Sequence, residues 1–257
     1  MLKRILFFAY GAVSYLIFFA TFLYAIGFIG NFAVPTTLDG PARGSLLAGL
    51  LINTGLLTLF AVQHSVMARK WFKDAWTRIV PQPLERSTYV LFSSVALILL
   101  FILWQPLGIV IWSVEDPTGK LVLRGLFAFG FGLVLYSTFL INHFDLFGLR
   151  QVWRYLLGQP YNNLGFTTPG PYKLVRHPLY VGWLFAFWAT PLMTLAHLVF
   201  ALATTAYILL AIQFEERDLV REHGETYESY RRSVPMLVPS LRKREGEVRG
   251  AKVDIAS

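Results

Sequence analysis

Five short clusters of polar and ionisable residues interrupt an otherwise apolar chain. Histidine and carboxylate side chains can exchange protons with a substrate, and arginine can hold an anionic group through charge-assisted hydrogen bonds. Such residues are costly at membrane depth and usually mark function there. We therefore expect one shared site, although single members of the clusters are also typical of interfacial anchors. The clusters are Gln63-His64-Ser65, Glu85-Arg86, Asn142-His143 with Asp145, Arg150 and Gln151, Arg176-His177-Pro178, and Glu215-Glu216-Arg217.

The residue types present exclude several other chemistries. The chain has no cysteine, so it holds no disulfide, no thiolate metal site and no cysteine nucleophile. His64, His143 and His177 come from three different segments, and no histidine pair has the i, i+4 spacing common on zinc-binding helices. A Gly-x-Ser-x-Gly elbow and a Walker loop are also missing. We therefore predict no metal site, although the clustered histidines and carboxylates leave metal binding open.

Long apolar stretches carry these clusters. Charged residues make up 15% of the chain, against about 25% in a soluble domain. A membrane helix needs about 20 apolar residues, and the first stretch is too long for a signal peptide. The last stretch suits two shorter helices with a turn near Pro191. The predicted fold is all-α: a polytopic membrane helical bundle of about six spans, including a C-terminal helical hairpin, with further helices in a cytoplasmic loop and the C-terminal segment. The predicted spans are approximately 5–30, 45–68, 87–113, 122–143, 179–190 and 195–214.

The positive charges indicate the orientation of the chain. If the N-terminus is cytoplasmic, 20 of the 23 lysines and arginines lie inside, and the other three are Arg43, Lys120 and Arg124. This is a strong positive-inside bias, and it predicts that both termini are cytoplasmic. It also accounts for the net charge of +8 without a nucleic-acid partner. We predict one membrane domain over residues 1–241 and a flexible cytoplasmic tail over residues 242–257.

One motif in the last third of the chain is highly specific. Residues 169–183 read PGPYKLVRHPLYVGW. This segment resembles the G-x-Y-x-x-V-R-H-P-x-Y-x-G motif of membrane methyltransferases of the isoprenylcysteine carboxyl methyltransferase and phospholipid methyltransferase type. A later segment of this chain resembles the second half of that family signature, and the spacing between the two segments fits one helical hairpin. Its residues here are Glu215-Glu216-Arg217-Asp218-Leu219, Gly224, Tyr227, Tyr230, Val234-Pro235 and Pro239.

Shorter motifs in the first half resemble one bacterial branch of the same family. They are QHSVMAR at 63–69, ERSTYV at 85–90, NHFDLFGLRQ at 142–151, and Pro160-Tyr161. The resemblance implies a multi-pass enzyme of the bacterial cytoplasmic membrane, whose substrate is a small apolar thiol that partitions into the lipid bilayer. It further implies methylation of methanethiol to dimethyl sulfide, with hydrogen sulfide as a poorer acceptor. We infer no protein partner.

The resemblance also implies S-adenosylmethionine as methyl donor, bound at the cytoplasmic mouth of the hairpin. Aromatic faces can stabilise its sulfonium cation. Its ribose hydroxyls suit a carboxylate, and its own carboxylate suits a cation. The implied donor-binding residues are the aromatics Tyr172, Tyr180 and Trp183, the cation Arg176 or His177, the carboxylate Glu215 or Glu216, and Val175 of the same motif.

The acceptor side of the implied reaction needs an activated sulfur. A thiol attacks best as its thiolate. Arg86 or Arg150 could stabilise that anion, and His64, His143 or Asp145 could take the proton. The sequence does not choose among them.

Two alternatives remain open at this level. One keeps the methyltransferase and replaces the small thiol with a lipid or a prenylated thiol, which would need a wide lateral groove between helices. The other is a membrane transporter or assembly factor with no bound donor, since six spans also suit that class.

Overall fold

The computed structural model describes residues 1–162 and 164–239. Within this described part, five helices are long and apolar enough to cross a membrane, and an eleven-residue apolar helix follows the fourth of them. The prediction of a polytopic helical membrane protein is confirmed. The helices are α1 (Leu2–Gly30), α2 (Leu46–Ala68), α3 (Lys70–Trp76), α4 (Gln82–Leu103), α5 (Pro117–Ile141), α6 (His143–Leu146), α7 (Leu149–Leu156), α8 (Pro178–Trp188), α9 (Leu195–His223) and α10 (Glu225–Ser233).

The third predicted span extends too far toward the C-terminus. We expected helix over 87–113, whereas α4 ends at Leu103 and residues 110–113 form strand β1 (Val110–Ser113). Pro106 cannot donate a backbone hydrogen bond, and Gly108 has a φ of +72°, so the helix cannot continue through this apolar segment. Strand β1 pairs antiparallel with β2 (Leu192–Thr194). This small sheet is the exception to the all-α prediction.

The C-terminal hairpin forms where the sequence predicts it. Helix α8 ends at Trp188, and the Pro191 carbonyl accepts a hydrogen bond of 2.8 Å from the Val114 amide. Helix α9 then continues to His223 instead of ending near residue 214. Glu215 and Glu216 therefore lie inside a helix, and their positions are set by its register.

Helices α5 and α8 approach each other through two glycines. A Cβ atom added to Gly182 would lie 2.7 Å from the Gly130 carbonyl oxygen, and one added to Gly130 would lie 2.7 Å from the Gly182 carbonyl oxygen. Each glycine thus leaves room for the backbone of the other helix. This contact holds the short helix α8, and the motif at its start, against a long one.

A buried ion pair closes the end of the bundle that carries the two strands, here called the sheet end. His197 Nδ1 lies 2.8 Å from Asp39 Oδ2, and His197 Nε2 lies 3.0 Å from the Phe187 carbonyl oxygen. Both ring nitrogens of His197 therefore lie within hydrogen-bond distance of an acceptor oxygen. Burial tends to raise the pKa of Asp39, but hydrogen bonds from His197, Thr194 and Asn31 hold it below its usual value. The pair ties the α1–α2 loop to the start of α9.

The opposite end of the bundle, here called the polar end, holds the starts of α1, α4 and α8 and the ends of α2, α5 and α9. The five polar clusters lie there. The predicted tail at 242–257 lies outside the described residues, and the single-domain assignment of residues 1–241 remains a prediction.

Candidate active site

A cavity of about 780 Å³ lies at the polar end. It is lined by residues of α3, α4, α5, α6, α7, α9 and α10 and of the segment between α7 and α8. The predicted site residues that line it are Arg86, Asp145, Tyr172, Arg176, His177 and Glu215. Four of the five sequence clusters therefore contribute to one cavity.

Arg176 uses its Nε and Nη1 groups for hydrogen bonds within the protein itself. Its Nε donates to Glu216 Oε1 at 2.7 Å, and its Nη1 donates to the carbonyl oxygens of Arg231 at 2.9 Å and Val234 at 2.7 Å. His177 Nε2 lies 3.1 Å from the same Glu216 oxygen. Glu216 is buried, so this ion pair joins the start of α8 to α9 and to the segment after α10. A ligand carboxylate would have to compete with Glu216 for Arg176.

Glu215 is more exposed than the adjacent Glu216 and has different contacts. It lines the cavity, its side chain is 46% exposed, and its Oε2 accepts a 3.0 Å hydrogen bond from the Tyr180 hydroxyl. One helical position thus separates a structural carboxylate from one that a ligand can reach. Tyr180 supports Glu215 and does not itself line the cavity among the described residues.

The aromatic candidates are separated by the fold. Tyr172 lines the cavity, its backbone carbonyl accepts a 2.6 Å hydrogen bond from the Tyr230 hydroxyl, and burial raises the pKa of its own hydroxyl. Trp183 instead packs in the helical core, with ring centroids 5.5 Å from Phe131 and 5.4 Å from Phe187. Val175 is buried. Neither Trp183 nor Val175 belongs to the described cavity lining.

Asp145 is fixed by the turn between α5 and α6. Asn142 has a φ of +110°, and its side-chain oxygen accepts from the Asp145 amide. Arg150 Nη1 donates to Asp145 Oδ1 at 2.9 Å, and the Tyr161 hydroxyl donates to Oδ2 at 3.2 Å. The Arg150 guanidinium also lies 5.3 Å from the centre of the Tyr161 ring. Burial raises the pKa of Tyr161, and Asp145 raises it further, so the phenol keeps its proton.

Arg86 differs from Arg150 in having no carboxylate partner among the described residues. Its Nε donates to the Leu146 carbonyl at 2.7 Å, and its guanidinium lies 5.1 Å from the centre of the Tyr89 ring. Its two Nη nitrogens make no hydrogen bond to the described residues, and no carboxylate there lies within 4.0 Å. Arg86 therefore brings an uncommitted positive charge to the cavity.

His64 lies behind Arg86 and outside the described cavity lining. The Tyr89 hydroxyl is 2.8 Å from His64 Nε2, and Ser93 Oγ is 3.1 Å from Nδ1. The Phe60 ring stacks on the imidazole with centroids 5.2 Å apart. His64 thus orients Tyr89, whose ring supports Arg86.

His143 is enclosed by aromatic rings and also lies outside the described lining. Thr138 Oγ1 donates to the Leu135 carbonyl, so it accepts from His143 Nδ1, which lies 2.8 Å away. His143 Nε2 then accepts from the Tyr15 hydroxyl at 2.9 Å. Burial lowers the pKa of His143, in agreement with this neutral form. Both nitrogens are occupied, and the ring secures the corner that carries Asp145.

Sequence reasoning missed several supporting residues. Tyr15 and Thr138 sit in apolar helices with no local signal, and Tyr89 is part of the ERSTYV segment, where its role was not assigned. Tyr227 and Gln151, which the sequence motifs include without a role, line the cavity, and the Tyr227 hydroxyl and Gln151 Oε1 are buried without a hydrogen-bond partner among the described residues. No group of three or more histidine, aspartate or glutamate side chains in the described part is arranged to hold a metal ion.

Comparison with known proteins agrees with this fold and this cavity. Residues 121–226 match the phospholipid methyltransferase family, which places the helical membrane protein in the methyltransferase class. The resemblance expected from the motif at 169–183 is thereby confirmed.

Full-length relatives narrow the class. The chain is 58% identical to methanethiol S-methyltransferase of Crocosphaera subtropica, over 95% of each chain. It is 52% identical to methanethiol S-methyltransferase of Mycobacterium tuberculosis, over 93% of this chain and 98% of that protein. It is also 52% identical to methanethiol S-methyltransferase 1 of Bradyrhizobium diazoefficiens, over 90% of this chain and 81% of that protein. The chain belongs to the methanethiol S-methyltransferase family. No solved structure gave a significant match.

Proposed function

We propose that this protein transfers a methyl group from S-adenosylmethionine to methanethiol, giving dimethyl sulfide and S-adenosylhomocysteine. The observation that carries the proposal is the near full-length similarity to relatives named methanethiol S-methyltransferase. The cavity at the polar end, with its charged and aromatic lining, supports the proposal.

The cavity suits a nucleoside-sized donor. Sites for ligands of this size occupy about 300–1,000 Å³, and this cavity has about 780 Å³. Glu215, Tyr172 and Tyr227 would hold the donor, since a reachable carboxylate suits ribose hydroxyls and aromatic faces suit a sulfonium. When bound, S-adenosylmethionine supplies a methyl group made electrophilic by the adjacent positive sulfur.

Arg86 is the residue we assign to the acceptor sulfur. The thiolate lone pair forms the new S–C bond, and the electrons of the broken bond remain on the donor sulfur. A thiol with a pKa near the 8.5 or so of cysteine is mostly protonated at neutral pH. The uncommitted guanidinium of Arg86 favours the thiolate, and holding it in line with the methyl group supplies the alignment that displacement needs.

Asp145 is the proton acceptor in this proposal. It lines the cavity, whereas His64 and His143 lie outside the described lining. Arg150 and Tyr161 hold its carboxylate in place. His64 acts through Tyr89 to position Arg86, and His143 acts through the α5–α6 corner to position Asp145.

The proposed setting is the bacterial cytoplasmic membrane, with both termini and the polar end on the cytoplasmic side. A cytoplasmic cavity mouth gives access to the soluble donor. A small apolar thiol partitions into the bilayer and can reach the site from there.

The direct test uses purified protein with methyl-labelled S-adenosylmethionine and methanethiol. We expect labelled dimethyl sulfide in the headspace and an equal amount of S-adenosylhomocysteine in solution, with little of either from Asp145→Asn. Donor binding without labelled dimethyl sulfide, together with methylation of a lipid-linked thiol, would refute the small-thiol acceptor. A protein that binds no S-adenosylhomocysteine would refute the methyltransferase proposal itself.

A further inference from the structure

Lys73 is a second cation at the cavity, and it lies outside the sequence motifs described above. It lies on the short helix α3, which follows α2, and it lines the cavity together with Arg86. No acidic side chain among the described residues lies within 4.0 Å of its ammonium group. By contrast Lys70, one turn earlier on α3, pairs with Asp74 at 2.8 Å and is 89% exposed.

The surroundings of Lys73 disfavour an uncompensated charge. Burial lowers the pKa of its ammonium group, and the nearby Arg86 guanidinium lowers it further. Glu85 and Asp218 act in the opposite direction, and Arg69 adds to the repulsion. Glu85 lines the same cavity but forms no ion pair with Lys73. Lys73 and Arg86 thus face one partly buried space that Glu85 also lines, and a negatively charged ligand group held between them would lower the cost of their like charges.

The third cation of the lining is already neutralised. Arg176 is held by Glu216 and by two backbone carbonyls. A negatively charged ligand group entering the cavity would therefore meet Lys73 and Arg86, which have no carboxylate partner within 4.0 Å among the described residues. These two residues come from different elements, α3 and α4, and the fold brings both to the lining of one cavity.

We propose that Lys73 and Arg86 form an anion-binding subsite that holds a negatively charged group of a bound reactant. This inference rests on the proposed methyl transfer. Two groups have the required chemistry: the thiolate of the acceptor and the carboxylate of the donor. Lys73 acts as a point charge with three donors, while Arg86 presents its free Nη nitrogens.

The test compares Lys73→Gln with Lys70→Gln as a matched control on the same helix. Affinity is measured by calorimetry with two probes, S-adenosylhomocysteine and 5′-methylthioadenosine, which lacks the amino-acid carboxylate. Rate is measured as kcat/KM for methanethiol between about pH 6 and pH 9.5. Lys73→Arg, which keeps the charge, is expected to restore most of the lost affinity or rate.

The two sources of the anion predict different results. If the carboxylate is bound, Lys73→Gln weakens S-adenosylhomocysteine about 10- to 150-fold and leaves 5′-methylthioadenosine unchanged. If the thiolate is bound, the affinities for both probes stay unchanged. In that case kcat/KM for methanethiol falls about 10- to 150-fold at pH 7, and it recovers as the pH rises. Lys73→Gln behaving like Lys70→Gln in every measurement would overturn the subsite, as would equal losses for both nucleoside probes. Failure of the wild type to bind S-adenosylhomocysteine would instead refute the proposed function.

Discussion

Two adjacent glutamates near the end of α9 have different surroundings. Glu216 is buried between Arg176 and His177, whereas Glu215 faces the cavity and accepts one hydrogen bond from Tyr180. Removing one partner of a buried ion pair leaves the other uncompensated, which costs about 3–5 kcal/mol. A half-exposed carboxylate carries no such penalty. Glu216 is therefore expected to stabilise the fold, and Glu215 is expected to bind the ligand.

Glu216→Gln should therefore lower the melting temperature by several degrees, and Glu215→Gln should leave it nearly unchanged. Glu215→Gln should instead weaken S-adenosylhomocysteine about 10- to 150-fold, the loss expected for one charge-assisted hydrogen bond. Thermal unfolding and calorimetric titration of the two variants provide the measurement. Equal melting temperatures and equal affinities for both variants would contradict this division.

Arg86 should set the pH dependence of the reaction. A cation beside the acceptor sulfur favours the thiolate and lowers the pKa of the bound thiol. Its removal in Arg86→Gln raises that pKa, so less thiolate is present at pH 7 and the rise of kcat/KM shifts to higher pH. We expect a loss of about 10- to 150-fold at pH 7. Arg154→Gln is the control, because Arg154 bonds the Gln159 side chain and lies outside the described lining. Identical pH profiles for wild type and Arg86→Gln would rule out this role.

At the scale of elements, the α5–α8 contact decides where the motif residues lie. Helix α8 has eleven residues, or about 16 Å of length, and is too short to span the hydrocarbon core alone. It packs on α5 with the backbones of Gly130 and Gly182 in direct contact. The start of α8, with Arg176 and His177 before it, is thereby carried by a full-length helix.

Gly182→Ala should force α8 away from α5, since its Cβ would lie 2.7 Å from a backbone oxygen that cannot rotate aside. We expect a loss of about 1–3 kcal/mol of stability and weaker binding of S-adenosylhomocysteine. Gly132→Ala is the matched control on α5, because no atom lies within 4 Å of the added Cβ. Its stability should stay equal or rise slightly, as alanine favours helix. Indistinguishable unfolding of the two variants would contradict the close contact.

At the scale of the whole molecule, α9 joins the two ends of the bundle. It begins beside the Asp39–His197 pair at the sheet end and reaches the cavity at Glu215. Its 29 residues give a length of about 44 Å, more than the hydrocarbon core of about 30 Å. About 14 Å of α9, or some two and a half turns, thus exceeds the thickness of the core.

The orientation of the bundle is open to a direct test. A reporter fused after Ser257 should be cytoplasmic, and one inserted near Asp116 should be external, because nearly all lysines and arginines then lie inside. Phosphatase and fluorescent-protein fusions at the two positions give opposite signals for opposite sides. An external C-terminus would overturn the cytoplasmic cavity mouth and the access route proposed for the donor.

The sequence alone was sufficient for the membrane class, for the presence of long apolar helices and for the clustering of ionisable residues at helix ends. The length of an apolar stretch and the positions of charged residues along the chain can be read directly from the sequence. The motif at 169–183 likewise indicated the family, because its residues are contiguous. The predicted end of α4 is wrong, because the apolar residues at 110–113 are compatible with a strand as well as with a helix.

Only the tertiary structure decided which side chains remain available to a ligand. Arg176 and Glu216 are forty positions apart, and their pairing depends on the rotation and depth of two helices. The same holds for His143, which Tyr15 and Thr138 enclose, and for Lys73, which joins Arg86 at the cavity. Residue type shows what a side chain can do, but the neighbours brought by folding determine which of its donors, acceptors and charges are left to do it.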